Sequence, residues 1–471
     1  MTLFTRRILY SIFVALFLII APPLILYTAG YRYDFEYRRV VETGSLVVKS
    51  VPESASIYLD GELYSVQTPT IVNTILPGKI NLLVAKPGYH KWEKRIEIYP
   101  RVTTFEDHIK LYPKTQPEAL IAGSITSYWW NTKQEKIAYL TEGGELRLFN
   151  TLNSKDTLIA NVTKERPFAD FSWSPHDDQF LFSRIEDGKT AYYIIDANTF
   201  SNVIALTDVV AEPLTSVVWN PNTKNTVYAI TKAGLVRIPY LLETVRVVAR
   251  GTISAYLAER DRILFIQAGG DNGEPGLFWI HPADQNTIHR VPGIAADGQD
   301  ELLSTNSHQI ALYNNQTHLL QIIDPTIRSN GIDSGTYAIA NVQNAFFSKD
   351  GTMLVYTDGF AIYKQPFVTP ITVIPQKNES QLVTRYSQPI TALSWADDEF
   401  HILYQVDTTI RVAELGPSSD PRNTILAEGA TTARGIVYVA KQKAATYIDE
   451  FGWLQFLPLS LDQERTFFFG G

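Results

Sequence analysis

The chain has 471 residues, 45% hydrophobic and 12% aromatic, with 41 Lys and Arg against 49 Asp and Glu. That is ample for more than one buried core, while a net charge of −8 without a long basic block argues against a nucleic-acid partner, because phosphate neutralisation needs clustered positive charge. The absence of cysteine excludes disulfides and thiolate metal sites, and 25 Tyr and 23 Phe beside two Met point to a fold built of strands.

From Ile8 to Tyr27 no residue is charged, an amide or a histidine. Twenty helical residues reach about 30 Å, the thickness of a bilayer's hydrocarbon core, and Arg6 and Arg7 stand directly before the run. The segment is expected to span the lipid bilayer once, with Ile8, Phe13, Leu16, Ile20, Leu24 and Tyr27 as its membrane-facing anchor. The alternative is a cleaved signal peptide with Thr5 to Arg7 as its basic region and Ile8 to Ala21 as its apolar core. Pro22 and Pro23 favour that alternative, since a proline pair removes two donors and bends or ends a helix, leaving 14 uninterrupted residues. Apolar Leu24 to Tyr27 and the lack of an A-x-A cleavage pattern favour the anchor. Arg32, Arg38 and Arg39 follow the run closely, so basic residues do not fix orientation. A short N-terminal anchor and a cysteine-free chain suit a cytoplasmic N-terminus with everything after it outside the cytoplasm.

Tyr31 to Arg38 alternates aromatic and charged residues and predicts one strand with an aromatic face. Short strands then follow at Ser45 to Ser50, Ser56 to Leu59, Thr70 to Asn73, Ile80 to Lys86 and Trp92 to Tyr99. Between them, Asp60-Gly61 predicts a type I′ turn, and Pro77-Gly78 and Pro87-Gly88 predict type II turns. The ordered motifs Gly44-Ser45-Leu46, Pro52-Glu53-Ser54-Ala55, Tyr58-Leu59-Asp60-Gly61, Thr68-Pro69, Leu76-Pro77-Gly78 and Lys86-Pro87-Gly88-Tyr89, closed by Trp92, resemble the PEGA domain. That resemblance implies a small β-sandwich displayed outside the cytoplasm, in contact with protein or cell wall, and carries no catalytic residues. Ser54 departs from it, standing where the name-giving motif has glycine; if that position needs positive φ, a neighbouring turn type is expected instead. Tyr89 and Trp92 are either core aromatics or a partner-binding surface.

Pro113 to Pro117 reads as a linker. Beyond it one phrase recurs: an aromatic or apolar residue ends a strand, a polar turn follows, and a second apolar strand begins. It occurs at Trp130, Trp173, Trp219, Tyr256, Leu303, Phe347, Trp395 and Tyr438, spaced by 43, 46, 37, 47, 44, 48 and 43 residues. A period near 44 with about four strands per unit is the arithmetic of a β-propeller blade. The phrases Trp173-Ser-Pro, Trp219-Asn-Pro, Phe347-Ser-Lys-Asp-Gly and Trp395-Ala-Asp-Asp resemble the turns of WD40-like and TolB-like repeats, although the Trp-Asp and Gly-His pairs of WD40 proteins are missing. Seven or eight blades are expected, eight being the fuller count, with Ala119 to Ala122 completing the last one.

The eight histidines show no metal-ligand spacing, and there is no His-Glu-x-x-His, Gly-x-Ser-x-Gly or phosphate loop. The loop Gly269 to Glu274 reads as a solvated turn before a calcium site, and Asp177-Asp178 and Asp397-Asp398 read as turn formers. Trp129 and Trp130 are adjacent on a strand and face opposite ways, so one of them is a candidate partner-binding residue. No cofactor, metal or catalytic residue is expected. The reading is an all-β protein divided as 1–30 stub and anchor, 31–43 juxtamembrane strand, 44–112 PEGA-like domain, 113–117 linker and 118–471 propeller. Its expected role is non-catalytic binding of a protein or cell-envelope partner. The alternatives are a propeller hydrolase or lyase acting on envelope polysaccharide, and a membrane-tethered sensor or assembly scaffold.

Overall fold

In the computed structural model, helix α1 (Leu3–Thr28) runs unbroken through Pro22 and Pro23. The proline pair therefore removes two N–H donors without ending the helix. Leu24 to Tyr27 carry it on to Thr28, whose hydroxyl donates to the carbonyls of Leu24 and Ile25. The structure describes residues 3–28, 30–34, 38–163, 167–200, 203–242, 244–269, 275–291, 294, 298–324, 336–367, 380–396, 400–415, 423–431 and 435–461. They form two compact units, Met1–Thr115 with Ala413–Leu426, and Gln116–Val412 with Ala427–Gly471.

In the first unit, β1 (Tyr31–Asp34) pairs antiparallel with β2 (Arg39–Glu42), Asp34 opposite Arg39. Of the single strand expected over Tyr31 to Arg38, the described residues give one hairpin arm, Tyr31–Asp34, and a turn residue, Arg38. Periodicity missed this because the aromatic alternation runs on past Asp34, while Arg38 sits at φ 49°. A sandwich follows. Its strands are β3 (Gly44–Val51), β4 (Ser56–Leu59), β5 (Glu62–Leu63), β6 (Thr70–Ile75), β7 (Gly78–Ala85), β8 (Trp92–Ile98) and β9 (Thr103–Lys110). They form one sheet in the order β6-β3-β9 and another in the order β5-β4-β7-β8. Leu46, Val48, Ile57, Val72, Leu82, Val84, Ile96, Ile98 and Ile109 fill the space between. The alternation Trp92-x-Lys94-x-Ile96-x-Ile98 puts one face of β8 inward, as a two-residue period requires.

The turns carry the registers. Asp60 and Gly61 both have positive φ, 48° and 86°, as the type I′ turn requires. Gly88 at φ 82°, with Tyr89 N–H donating to Lys86 O, makes the Pro87-Gly88 turn type II. Ser54 holds φ 59°, so the left-handed conformation is kept with serine in it and no other turn type replaces it. It persists because Ser54 N–H donates to Thr68 O, Thr68 N–H to Ala55 O and Ala55 N–H to Thr68 Oγ1. An L-residue pays about 1–2 kcal/mol for that conformation, and glycine returns part of this as unfolded-chain entropy. Ser54→Gly is therefore expected to stabilise the first unit by about 0.5–1 kcal/mol; an unchanged or lower urea midpoint counts against it.

The second unit is a β-propeller. The described residues from 118 on form eight four-stranded sheets, seven of them consecutive in sequence within 125–161, 168–205, 215–250, 252–290, 300–339, 344–385 and 390–427, the last of which has its Ala413–Leu426 part in the first unit. The eighth combines 437–458 with β10 (Glu118–Ile121), which pairs antiparallel with Leu454–Pro458. The N-terminal fragment thus completes the last sheet, as its unpaired pattern predicts. First strands contact first strands from sheet to sheet, as in Thr215–Trp219 with Thr252–Ala258 and Ile390–Trp395 with Val437–Val439, so they line the axis. Each apolar cluster is shared by two neighbouring sheets. Ile121, Ile125, Tyr128, Ile137, Ile448 and Leu454 join the closing sheet to the first.

Polar ties run round the same ring. At the turns between first and second strands, a side chain of one sheet donates to a carbonyl of the next. Thr132 Oγ1 reaches Ser174 O (3.1 Å), Asn222 Nδ2 reaches Arg260 O (2.8 Å), and Asn306 Nδ2 reaches Ser348 O (3.1 Å). His176 Nε2 lies 2.9 Å from Asn220 O, an arrangement that fixes its proton on Nε2. Buried Arg262 donates to the carbonyls of Ser307, His308 and Gln309. Gln442 Nε2 closes the circuit on Gln134 O (2.9 Å).

Candidate functional site

Ile8, Phe13, Leu16, Ile20, Leu24 and Tyr27 all lie exposed along α1, and no residue of its 23-residue apolar stretch Arg6–Thr28 is buried in the protein. Beyond its end Arg32 lies over the Tyr27 ring (3.6 Å to the centroid) and donates to the carbonyls of Tyr27 and Tyr31, both at 2.9 Å. Tyr27 O, in the last turn of the helix, also accepts from Gly30 N–H (3.3 Å).

Tyr89 and Trp92 are core side chains, 7% and 4% exposed. Trp92 Nε1 donates to Glu414 (2.9 Å), a residue of the same unit. Lys94, also buried, lies between Glu106 (3.1 Å) and Glu414 (3.2 Å). Burial raises the Glu106 carboxyl above the usual carboxylate range, although Lys94 pulls the other way. These groups do structural work, and two carboxylates sharing one ammonium leave no vacant ligand position.

Trp129 and Trp130 do face opposite ways, yet neither stands out from the ring. Trp129 packs on Phe168 and Phe171 of the second sheet, with centroids 5.5 and 4.9 Å away. Trp130 Nε1 donates to Thr446 Oγ1 of the closing sheet (3.1 Å). The expectation that one must look away from a core fails because a propeller sheet is covered on both faces. The other repeat tryptophans tie sheets similarly, with Trp173 Nε1 donating to Trp129 O and Trp219 Nε1 to Ser172 O.

Asp178 accepts from Asn131 and pairs with Lys133 (3.3 Å) and buried Lys136 (3.2 Å). Burial works against its charge, but the two lysines hold its carboxyl below the usual range, which suits an inter-sheet tie and not a general acid. Asp397-Asp398 and residues 270–274 of the glycine-rich loop lie outside the described residues. Among the described residues no group of three His, Asp or Glu is placed to hold a metal ion. The exposed positions of the axial strands are mainly small or apolar, including Thr215, Ser216, Val218, Thr252, Ser254 and Phe346.

Among the exposed aromatic side chains are two in the closing sheet that the sequence reading passed over. Phe451 is 70% and Trp453 41% exposed, their ring centroids 6.4 Å apart. They flank Gly452 in the turn between the second and third strands of the closing sheet, where Phe451 N–H and Trp453 N–H both donate to Asp449 Oδ1. Gly452 has φ 77°, and a Cβ there would lie 3.0 Å from Ser124 Cα, so the close approach to the neighbouring connection requires glycine. The sequence signal was Asp449-Glu-Phe-Gly-Trp453, which reads equally well as the start of a buried strand.

Comparison with known proteins adds one decisive observation for the first unit. Residues 43–114 match the PEGA domain. The order of motifs from Gly44 to Trp92 is therefore that of the PEGA fold, and β9, absent from the sequence reading, lies within the match. No curated protein matches the sequence significantly. Among solved structures, the C-terminal WD40 domain of Sif2 is 12% identical, with a TM-score of 0.49 over 73% of this chain and 98% of that one. The β-propeller domain of Myceliophteria thermophila Cps50 (Swd1) is 12% identical, with a TM-score of 0.41 over 74% of this chain and 100% of that one. An oligogalacturonate lyase in complex with manganese is 12% identical, with a TM-score of 0.40 over 74% of this chain and 99% of that one. At these identities the likeness is one of fold alone.

Proposed function

We propose that this is a membrane-tethered recognition protein. Residues 8–27 hold it in the bilayer, the PEGA domain stands as a spacer or wall-contacting module outside the cytoplasm, and the propeller binds a protein or cell-envelope partner without catalysing a reaction. The observation that carries this reading is α1: a bilayer's length of apolar side chains, wholly outside the protein's own cores, joined to two β-units. A tether of this kind raises the effective concentration of any partner on the same envelope. The laced ring supports a rigid display surface, whose binding cost in lost freedom is small.

Topology tests the reading directly. The Asp187-Gly188 turn is exposed, but Asp187 sits at φ 49°, so a cysteine is better placed at exposed Lys189. In a chain with no other thiol, Lys189→Cys is expected to react with a membrane-impermeant maleimide on intact cells and to sediment with membranes. Labelling only after lysis would place the propeller in the cytoplasm. Label recovered in a soluble, shortened chain would mean that the N-terminal segment is a cleaved signal.

A further inference from the structure

Strand pairing gathers the loops after β6 and β8 at the end of the PEGA sandwich where the chain arrives from α1. Ile75 pairs with Gly44 at the start of β3, Gly78 pairs with Ile98, and Ser45 N–H donates to Val102 O (3.1 Å). The same end is bonded to the chain leaving the helix. Gly30 O accepts from Thr43 N–H (3.0 Å) and Thr43 Oγ1 (2.7 Å), and Thr43 O accepts from Arg101 N–H (3.1 Å). The fit is close, since a Cβ on Gly44 would collide with Tyr99 O. Leu76, Tyr99 and Val102 in these loops, and Tyr33 opposite Val40 on the adjoining hairpin, are 41% to 52% exposed. Residues 75–79 and 99–102 carry Lys79 and Arg101 but no acid, and Arg101 is paired with Glu42. Within 30–43, Arg32, Arg38 and Arg39 are matched in number by Asp34, Glu36 and Glu42, so the charge is balanced.

We infer that this end of the PEGA domain is seated in the interfacial layer of the bilayer that α1 crosses, with Tyr33, Val40, Leu76, Tyr99 and Val102 among the lipid headgroups. The inference rests on the tether proposed above and adds to it a second contact that does not span the membrane. It holds for either leaflet. Continuity identifies lipid as the occupant: a helix of bilayer length ends at Thr28, β1 begins at Tyr31, and the exposed loops are bonded to the chain between them and β3. Residue chemistry agrees. Tyrosines concentrate at headgroup depth, where the ring sits in apolar surroundings and the hydroxyl stays wet. Lys79 and Arg101 lay their apolar stems along that layer with their charged ends outward. Because the charges balance, apolar and aromatic burial drives the contact. Two attachments, one spanning and one interfacial, fix the tilt of a domain that a helix alone would let swing.

The probe is a bimane fluorophore on single cysteines of the full chain, which has no native thiol, recovered from cell membranes and reconstituted into phosphatidylcholine vesicles. Labels at Leu76→Cys and Val102→Cys are expected to be quenched by lipid carrying a nitroxide at the headgroup or shallow in the acyl chain, the depth of about 5–10 Å reached by interfacial segments. A nitroxide deep in the acyl chain should not quench them. Val66→Cys is the control. It lies two residues from Thr68, whose hydroxyl meets Ser50 Oγ (2.6 Å) about 20 Å along β3 from Gly44, and should stay unquenched. Quenching at positions 76 and 102 should be equal at about 0.1 and 1 M salt, over which the screening length falls from about 10 to 3 Å. Leu76→Glu with Tyr99→Glu, both exposed positions, should abolish quenching at position 102 while the chain still floats with the vesicles.

A chain that floats without quenching at 76 or 102 overturns the seat and leaves the tether standing. Quenching that survives the two glutamates overturns it as well, since it would report only closeness to the helix. Loss of quenching at high salt would make the contact electrostatic and sinks the apolar seat. A chain recovered from cells only in shortened, soluble form overturns both the seat and the tether.

Discussion

A chain ending at Trp453 is expected to lose the propeller's cooperative unfolding transition altogether, whereas one ending at Leu461 keeps it. The eight residues between them include Leu454, Leu457 and Leu459, all buried, and the strand Leu454–Pro458 that pairs with Ala444–Ile448 on one side and β10 on the other. Truncating a buried leucine costs about 2–5 kcal/mol each, so three of them approach the whole stability of about 5–15 kcal/mol of a typical domain. Losing the strand also strands β10 without a neighbour and exposes two sheet edges, which invite pairing with other chains. Urea denaturation in detergent and size-exclusion chromatography check this. The shortened chain should show a broad or absent transition and large aggregates. A monomer retaining the full-length midpoint would show that ring closure contributes little.

The second large effect belongs to the first unit. Lys94→Ala leaves buried Glu414 without its ammonium partner, and stranding a buried charge costs about 3–5 kcal/mol. Lys94→Met combined with Glu414→Leu and Glu106→Leu should recover part of that loss, since replacing the whole buried triad by apolar residues removes its desolvation penalties and leaves only Trp92 Nε1 without its acceptor. If the single variant keeps the wild-type urea midpoint, the cluster is not the tie described here. Glu106 adds a pH dependence of unusual sign. Because burial raises its carboxyl in the folded state, the folded chain holds more proton than the unfolded one between the ordinary glutamate value and the raised value. Through that window its contribution to stability grows as pH falls, the reverse of a salt-bridged carboxylate with a depressed value. Glu106→Gln should erase this component, visible as a flatter plot of urea midpoint against pH.

Much of the fold could be read from residues alone because its signals are short-range and repeated. Six of the eight aromatic or apolar anchors from Trp130 to Tyr438 end a first strand, and Tyr256 and Tyr438 lie two and one residues short of its end. Asp60-Gly61 and Pro87-Gly88 make the turns their dipeptides require. What failed was what depends on neighbours distant in sequence. Strand β9 pairs in parallel with β3, and its Phe105 faces solvent while Glu106 turns toward Lys94, so its pattern shows no clean alternation. Trp129 and Trp130 could not be judged without the flanking sheets that cover both. The exposed pair went unread for the converse reason: Phe451 and Trp453 look like core residues until the turn around Asp449 is seen to hold them outward.

Pairing β10 with Leu454–Pro458 also sets a timetable for biosynthesis. A ribosome adds about 5–20 residues per second, so the 333 positions between Ile121 and Leu454 delay the strand's partner by roughly 20–70 s. For that interval the first sheet has no neighbour on its closing side, and Ile125, Tyr128 and Ile137 wait uncovered for Ile448 and Leu454. Nascent chains stalled before residue 454 should accordingly be captured by chaperones far more than chains released after it.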